Sequence, residues 1–139
     1  ARLMIKTIKY SQMEAVLQKF TTEDLKKIDE ADDLHISVLR DNGKTYGTPT
    51  WIWEVVVDGD LYVRAYNGVY SQWYNAAILQ GAGRIIAAGM TIEVRFEAVQ
   101  GNINDAIDEA YKKKYSGSPY LPPMVSKCVR AATIKIIPE

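Results

Sequence analysis

Residues 34–66, LHISVLRDNGKTYGTPTWIWEVVVDGDLYVRAY, decide how this chain folds. Upstream of Leu34 the apolar residues recur at helical spacing, whereas inside the stretch they alternate, as they do on half-buried strands. Asn42-Gly43 and Asp58-Gly59 are dipeptides that accept positive φ and so close two-residue hairpins. The reading is three antiparallel strands joined by tight turns.

Helices are expected on the N-terminal side, within about residues 11–32. Met13, Val16, Leu17 and Phe20 form one stripe over Ser11 to Phe20. A second, short helix follows in TTEDLKKIDEADD, where Thr21 or Thr22 caps and Glu23 and Asp24 complement the dipole. On the C-terminal side SQWYNAAILQ reads as a helix that starts at Ser71 and is ended by Gly81 or Gly83. RIIAAGMTIEVRFEAV gives two strand pieces broken at Gly89. From Met90 onward Met90, Ile92, Val94, Phe96 and Ala98 point inward and Thr91, Glu93, Arg95 and Glu97 outward. NINDAIDEAYKKKY is an amphipathic helix through Ile103, Ile107, Ala110 and Tyr111, SGSPYLPP a loop, and TIKIIP a closing strand.

Five or six antiparallel strands with helices at the start, the middle and near the end suggest a small barrel, which leaves no exposed sheet edge. An α+β sandwich with helices on one face, or a sheet completed by a partner chain, are the alternatives. The 139 residues are expected to form one domain over 1–139.

Apolar residues make up 47% of the chain and charged residues 24%, with 17 acids against 17 bases. That balance argues against nucleic acid and anionic membrane surfaces, which call for clustered Lys and Arg. With no long apolar run and no signal-like start, the protein reads as cytoplasmic. Cys128 and His35 are each the sole residue of their type, so a disulfide and a His-rich metal site are not expected, and no nucleophile turn accompanies His35. Lys112, Lys113 and Lys114 read as a solvated helix end. The acids of EADD, Glu30, Asp32 and Asp33, read as solvated rather than metal-binding.

Function is sought in LYVRAYNGVYSQWY, residues 61–74. Tyr62, Arg64 and Tyr66 share one strand face, and the opposite face carries Leu61, Val63 and Ala65. Arg64 either pairs with a surface carboxylate or offers its fork to an anionic ligand. Asn67 and Gly68 can turn the chain, leaving Ser71 as N-cap of a helix whose free N–H groups attract an anion. Upstream, Lys44, Thr45, Tyr46 and Thr48 lie in a glycine-flanked connection with a cation, hydroxyls and open backbone, and Trp51 and Trp53 share a face of the next strand. GKT lacks the preceding glycine and following helix of a Walker loop. Cations, hydroxyls and aromatics together suit a planar ring with a phosphate tail.

The run GKTYGTPTWIWEVVVDGDLYVRAYNGVYSQWYNAAILQGAGRI resembles the core of the domain of unknown function 2255 family, grouped with the FMN-binding split barrels. It is more distantly similar to deazaflavin-dependent nitroreductases and pyridoxamine phosphate oxidase-like proteins. The resemblance implies an α+β, mainly β fold, a small antiparallel split β-barrel of about six strands with flanking helices. It further implies a homodimer with FMN or deazaflavin at the subunit junction and oxidoreductase activity on a small molecule. Position by position, Lys44 and Thr45 match the phosphate-side loop, Arg64 the basic strand residue, and Ser71, Trp73 and Tyr74 the helix-start motif. Arg64, Lys44 and Ser71 are expected at the phosphate, and Trp51, Tyr66 and Tyr74 near the ring. Tyr46 is a departure from the nitroreductase loop. It motivates the alternative of a non-redox small-molecule-binding or dimeric interaction protein.

Overall fold

A computed structural model describes residues 19–139. The helix expected over 11–20 therefore lies almost wholly outside the described residues, and of its stripe only Phe20 is described, packed against the core. The elements are α1 (Thr22–Glu30), β1 (His35–Val38), β2 (Thr50–Trp51), β3 (Glu54–Val57), β4 (Asp60–Arg64), a 3-10 turn (Gly68–Tyr70), α2 (Gln72–Gln80), β5 (Ala82–Ala87), β6 (Met90–Ala98), α3 (Ile103–Lys114), α4 (Leu121–Met124), α5 (Lys127–Arg130) and β7 (Thr133–Pro138). Thr21 caps α1, its hydroxyl accepting from the Asp24 N–H at 3.1 Å.

The seven strands make one antiparallel sheet in the order β2-β1-β5-β6-β7-β4-β3. The expected three strands of residues 34–66 are four, because the chain changes neighbours between Trp51 and Glu54. Ile52 N–H still donates to Leu34 O at 3.0 Å on the β1 side, whereas Glu54 already pairs with Val63 of β4. β2 and β3 are thus the two edges of the sheet, joined by Ile52 and Trp53 alone. A flat sheet of this width would hold its edge strands about 29 Å apart, but the Trp51–Glu54 connection reaches at most about 11 Å. The sheet therefore has to curl into a half-barrel, and the place where its edges approach is the Trp51–Trp53 segment.

Curling creates an inside and an outside. Leu61 and Val63 of β4, Ile85 of β5, Val94 and Phe96 of β6, and Ile134 and Ile136 of β7 fill the inside, with Leu25 and Ile28 from α1 and Ala77 from α2 packed on them. On the outer side Val55 and Tyr62 meet Ile107 and Tyr111 of α3, together with Met124 and Val129. The face assignment of β4 thus holds, with both faces covered. On β6 the inward alternation holds through Phe96, but Ala98 is exposed at the strand's end. SGSPYLPP is only partly loop: Pro122 and Pro123 stand in the first turn of α4, where a missing N–H costs nothing.

Two local features depend on residue type. Asp58 (φ 51°) and Gly59 (φ 81°) both take the left-handed conformation of the tight β3–β4 turn. At Gly83 a Cβ would stand 2.5 Å from Ser37 O and 2.9 Å from the Phe96 ring, so β1, β5 and β6 close up only because it has none. Gly83→Ala is expected to destabilise the protein by about 1–3 kcal/mol, read as a lower urea midpoint with unchanged slope.

Candidate functional site

Arg64 ends β4 with a side chain that is fully buried. Its guanidinium has five N–H donors, and all meet acceptors from this chain. Nε donates to Thr133 Oγ1 at 3.0 Å, Nη1 to Asp108 Oδ1 at 2.5 Å and Met124 O at 3.0 Å, and Nη2 to Asn104 O at 3.2 Å and Asn104 Oδ1 at 3.0 Å. The aromatic ring that it faces is Tyr111 of α3, 5.3 Å away, rather than a tyrosine of its own strand. Asp108 is held in turn by Arg130, Nη1 to Oδ2 at 2.9 Å, and Arg130 reaches Asp105 at 3.0 Å. Arg64 thus pairs with a carboxylate, but with one in the interior, and no donor is left over for a ligand. The signal in the sequence was the pair Asn104 and Asp108, one helical turn apart on α3, on the face that also carries Ile107 and Tyr111.

The upstream connection is closed on itself. Asn42 Oδ1 accepts from the N–H groups of Lys44 and Thr45, both at 2.9 Å, and Asn42 Nδ2 donates to Thr45 Oγ1 at 2.8 Å. Tyr46 turns to the outer face of the sheet, where its hydroxyl donates to Glu93 and the Arg84 guanidinium lies 3.6 Å above its ring. The Tyr46 hydrogen bond and then Arg84 hold the Glu93 carboxyl below its ordinary range. Lys44, Thr45, Tyr46 and Tyr74 line neither of the two cavities described next.

The larger cavity, about 910 Å³, lies between the β1–β2 connection and the start of α2, with Arg40, Thr48, Gln72, Ala76 and Gln80 in its wall. The smaller, about 490 Å³, is aromatic, walled by Trp51, Trp53, Tyr66, Tyr120 and Met124 over the inner end of Arg64. Thr50, Asn67, Ser71 and Trp73 line both, so the two adjoin. Of the residues expected at a site, Trp51, Arg64, Tyr66, Ser71 and Trp73 are brought together here. Gly68 takes positive φ while Asn67 stays at φ -89°, and the turn delivers Ser71 to the N-cap of α2. Ser71 makes no side-chain cap bond although it is 93% buried, at 7% exposure. Its hydroxyl has no partner among the described residues, and Ser71, Gln72 and Trp73 at the start of α2 line the larger cavity. Sequence reading missed Arg40, which lines the larger cavity and has no side-chain partner among the described residues. Nothing in its surroundings in the sequence marks it.

A second buried acid lies behind the aromatic cavity. Glu54, at 1% exposure, holds Lys114 of α3 through Oε1, while its Oε2 has no partner. Burial raises its pKa to about 7 against the opposing pull of Lys114. Tyr115 O–H donates to Glu54 O at 3.2 Å and accepts from Glu54 N–H at 3.1 Å, and its ring stacks on Trp53 at 3.9 Å. No group of three His, Cys, Asp or Glu side chains is placed to hold a metal ion among the described residues, and none of their helices is long and apolar enough to cross a membrane.

The fold is a curled antiparallel half-barrel of seven strands with flanking helices, and solved structures share it. Its likeness is to a Listeria innocua protein solved as "Putative Pyridoxamine 5'-phosphate oxidase", at 12% identity and TM-score 0.56, covering 84% of this chain and 90% of that one. The conserved hypothetical protein Rv2991 of Mycobacterium tuberculosis matches at 13% identity and TM-score 0.57, covering 86% and 81%. ChuZ of Campylobacter jejuni matches at 12% and 0.61, covering all of this chain but 62% of its own length. Residues 24–136 match the family model DUF2255, uncharacterized protein conserved in bacteria, and the chain belongs to that family. No curated protein matches the chain.

Arg64→Met is expected to cost about 3–5 kcal/mol, because it strands Asp108 and Asn104 in the interior, and Arg64→Lys is expected to recover little since three donors replace five. Urea denaturation measures both. Glu54 sets a pH dependence whose sign is fixed by its raised pKa. Between pH 4.5 and about 7 the folded chain keeps a proton that the unfolded chain has released, so stability falls as pH rises across that window. The loss reaches about 3 kcal/mol and is expected to vanish in Glu54→Gln, as read from unfolding curves at several pH values.

Proposed function

We propose that the two adjoining cavities bind a planar aromatic cofactor with an anionic tail, a flavin or a deazaflavin, and that the protein is an oxidoreductase acting on a small molecule. The observation that carries the reading is Ser71. It stands, 7% exposed and with no side-chain cap bond, at the N-terminus of a nine-residue helix, where it lines both the aromatic cavity and the polar one. A helix start with free N–H groups favours an anion, and aromatic walls favour a ring. Trp51, Trp53, Tyr66 and Trp73 would flank the ring, while Ser71, the α2 backbone and Arg40 would hold the tail. When bound, such a cofactor supplies the hydride chemistry, and the chain binds it, orients it and keeps water away. The name of the Listeria innocua relative supports a small phosphorylated ligand for the fold.

The working unit in this reading is a cytoplasmic homodimer. Trp51 at 54% exposure and Tyr120 at 62% rim the aromatic cavity, and a second copy laid across them would complete its wall and remove an exposed apolar patch. One observation favours the other reading, a split barrel that binds without turnover. Arg64 is committed to the interior and Tyr46 to Glu93, so two of the expected cofactor contacts are spent elsewhere.

Titration with FMN and with deazaflavin, followed by quenching of Trp51, Trp53 and Trp73, tests the proposal. Saturable binding of one of them is expected, weakened about tenfold in Ser71→Ala and in Arg40→Gln, the loss of one hydrogen bond to a charged group. Absence of binding by both would overturn the flavin reading in favour of the non-redox one.

A further inference from the structure

The Glu54–Lys114 pair lines neither cavity, yet it stands directly behind the wall of the aromatic one. Glu54 begins β3 immediately after Trp53, and Trp53 lines that cavity. Lys114 is the last residue of α3, and Tyr115, its C-cap, stacks on Trp53 with the rings 4° from parallel. Tyr111, one turn earlier, donates its hydroxyl to Trp53 O at 3.1 Å. The end of α3 therefore holds the Trp53–Glu54 segment through three side chains, Tyr111 and Tyr115 on Trp53 and Lys114 on Glu54, and Lys114 is the one whose hold depends on charge. Its side chain is 18% exposed, so water is one step away, whereas the Glu54 side chain is 1% exposed.

We propose that Glu54 and Lys114 form a proton-operated latch that fixes the end of α3 against Trp53 and so sets the shape of the aromatic cavity. With Glu54 ionised, Lys114 is drawn in and the Tyr115–Trp53 stack is held. With Glu54 protonated, the ammonium has no counter-charge, Lys114 moves to solvent, and the last turn of α3 loosens its grip on Trp53. The groups that face Glu54 agree with such a device. From α3 they are Lys114, which favours the anion, and Tyr115 and Tyr111, whose hydroxyls burial keeps protonated. From α1 and the segment after it they are Asp29 and Asp33, whose negative charge favours the proton on Glu54. On β4 it is Val63, which carries no charge. The unpartnered Oε2 is the place where the proton is taken up, since it is the carboxylate oxygen that no donor holds. Switching falls close to neutral pH because the cost of burial and the pull of Lys114 oppose one another.

The latch is independent of any bound ligand and can be tested without one. NMR titration of the wild-type protein from pH 5 to 9 follows the Glu54 carboxyl carbon, the Lys114 and Tyr115 amides and the Trp53 indole N–H. The expected result is one common midpoint near pH 7 in all four. In Glu54→Gln the Tyr115 and Trp53 shifts are expected to disappear. In Lys114→Met the Glu54 midpoint is expected to move upward, the direction set by loss of a favourable charge. Titration of Glu54 in the ordinary carboxylate range would overturn the proposal. So would a Glu54 that titrates near neutrality while Trp53 and Tyr115 stay still, or Trp53 shifts that persist in Glu54→Gln. The wild-type titration decides even if a variant fails to fold.

Discussion

The five hydrogen bonds of the Arg64 guanidinium are the constraint on which the outer half of the molecule depends. They reach Thr133 at the start of β7, Asn104 and Asp108 on α3, and the last carbonyl of α4. One side chain at the end of β4 therefore fixes a helix, a neighbouring strand and the segment between them. Burying a charge is unfavourable unless it is paired and its hydrogen bonds are met, and here both conditions are satisfied by residues far apart in sequence. Arg130 extends the same logic to α5 by sharing Asp108, which leaves the network balanced at two arginines and two carboxylates.

The second constraint is the two-residue crossing between β2 and β3. It brings the edges of the sheet together, and edge strands that meet leave little backbone open to pairing with another chain. It also sets Trp51 and Trp53 at the seam, one on the outer rim and one against Tyr115. The aromatic cavity thus follows from the closure of the sheet, and the polar cavity follows from the turn at Gly68 that carries α2 back over the β1–β2 connection. Ser71 stands where these two consequences meet.

This arrangement separates anchoring from recognition. The strongest cation in the neighbourhood is spent on the architecture, and the groups left for a ligand are a hydroxyl, helix N–H donors, a solvent-facing arginine and aromatic walls. Such a set discriminates more by shape and ring stacking than by charge. Glu54 and Lys114 stand behind the aromatic wall, so a change of charge there acts on the shape of the cavity without touching its contents.

The sequence by itself determined the mainly β fold with flanking helices, an α1 cap at Thr21 or Thr22, the Asp58-Gly59 hairpin, the two faces of β4 and the start of α2 at Ser71. These follow from periods of two and 3.6 residues and from turn chemistry, which are properties of neighbours along the chain. It also marked Trp51, Tyr66, Ser71 and Trp73, which the fold gathers around the cavities. Only the tertiary structure decided that Arg64 points to Asp108 rather than outward, that Tyr46 pairs with Glu93 across 47 residues, and that Arg40 rather than Lys44 lines a cavity. It also decided that β2 and β3 are separate edges and that Glu54 is buried behind Trp53. Each of these rests on partners from distant segments, and whether a charge faces water or a buried counter-charge is fixed by packing that local pattern does not encode.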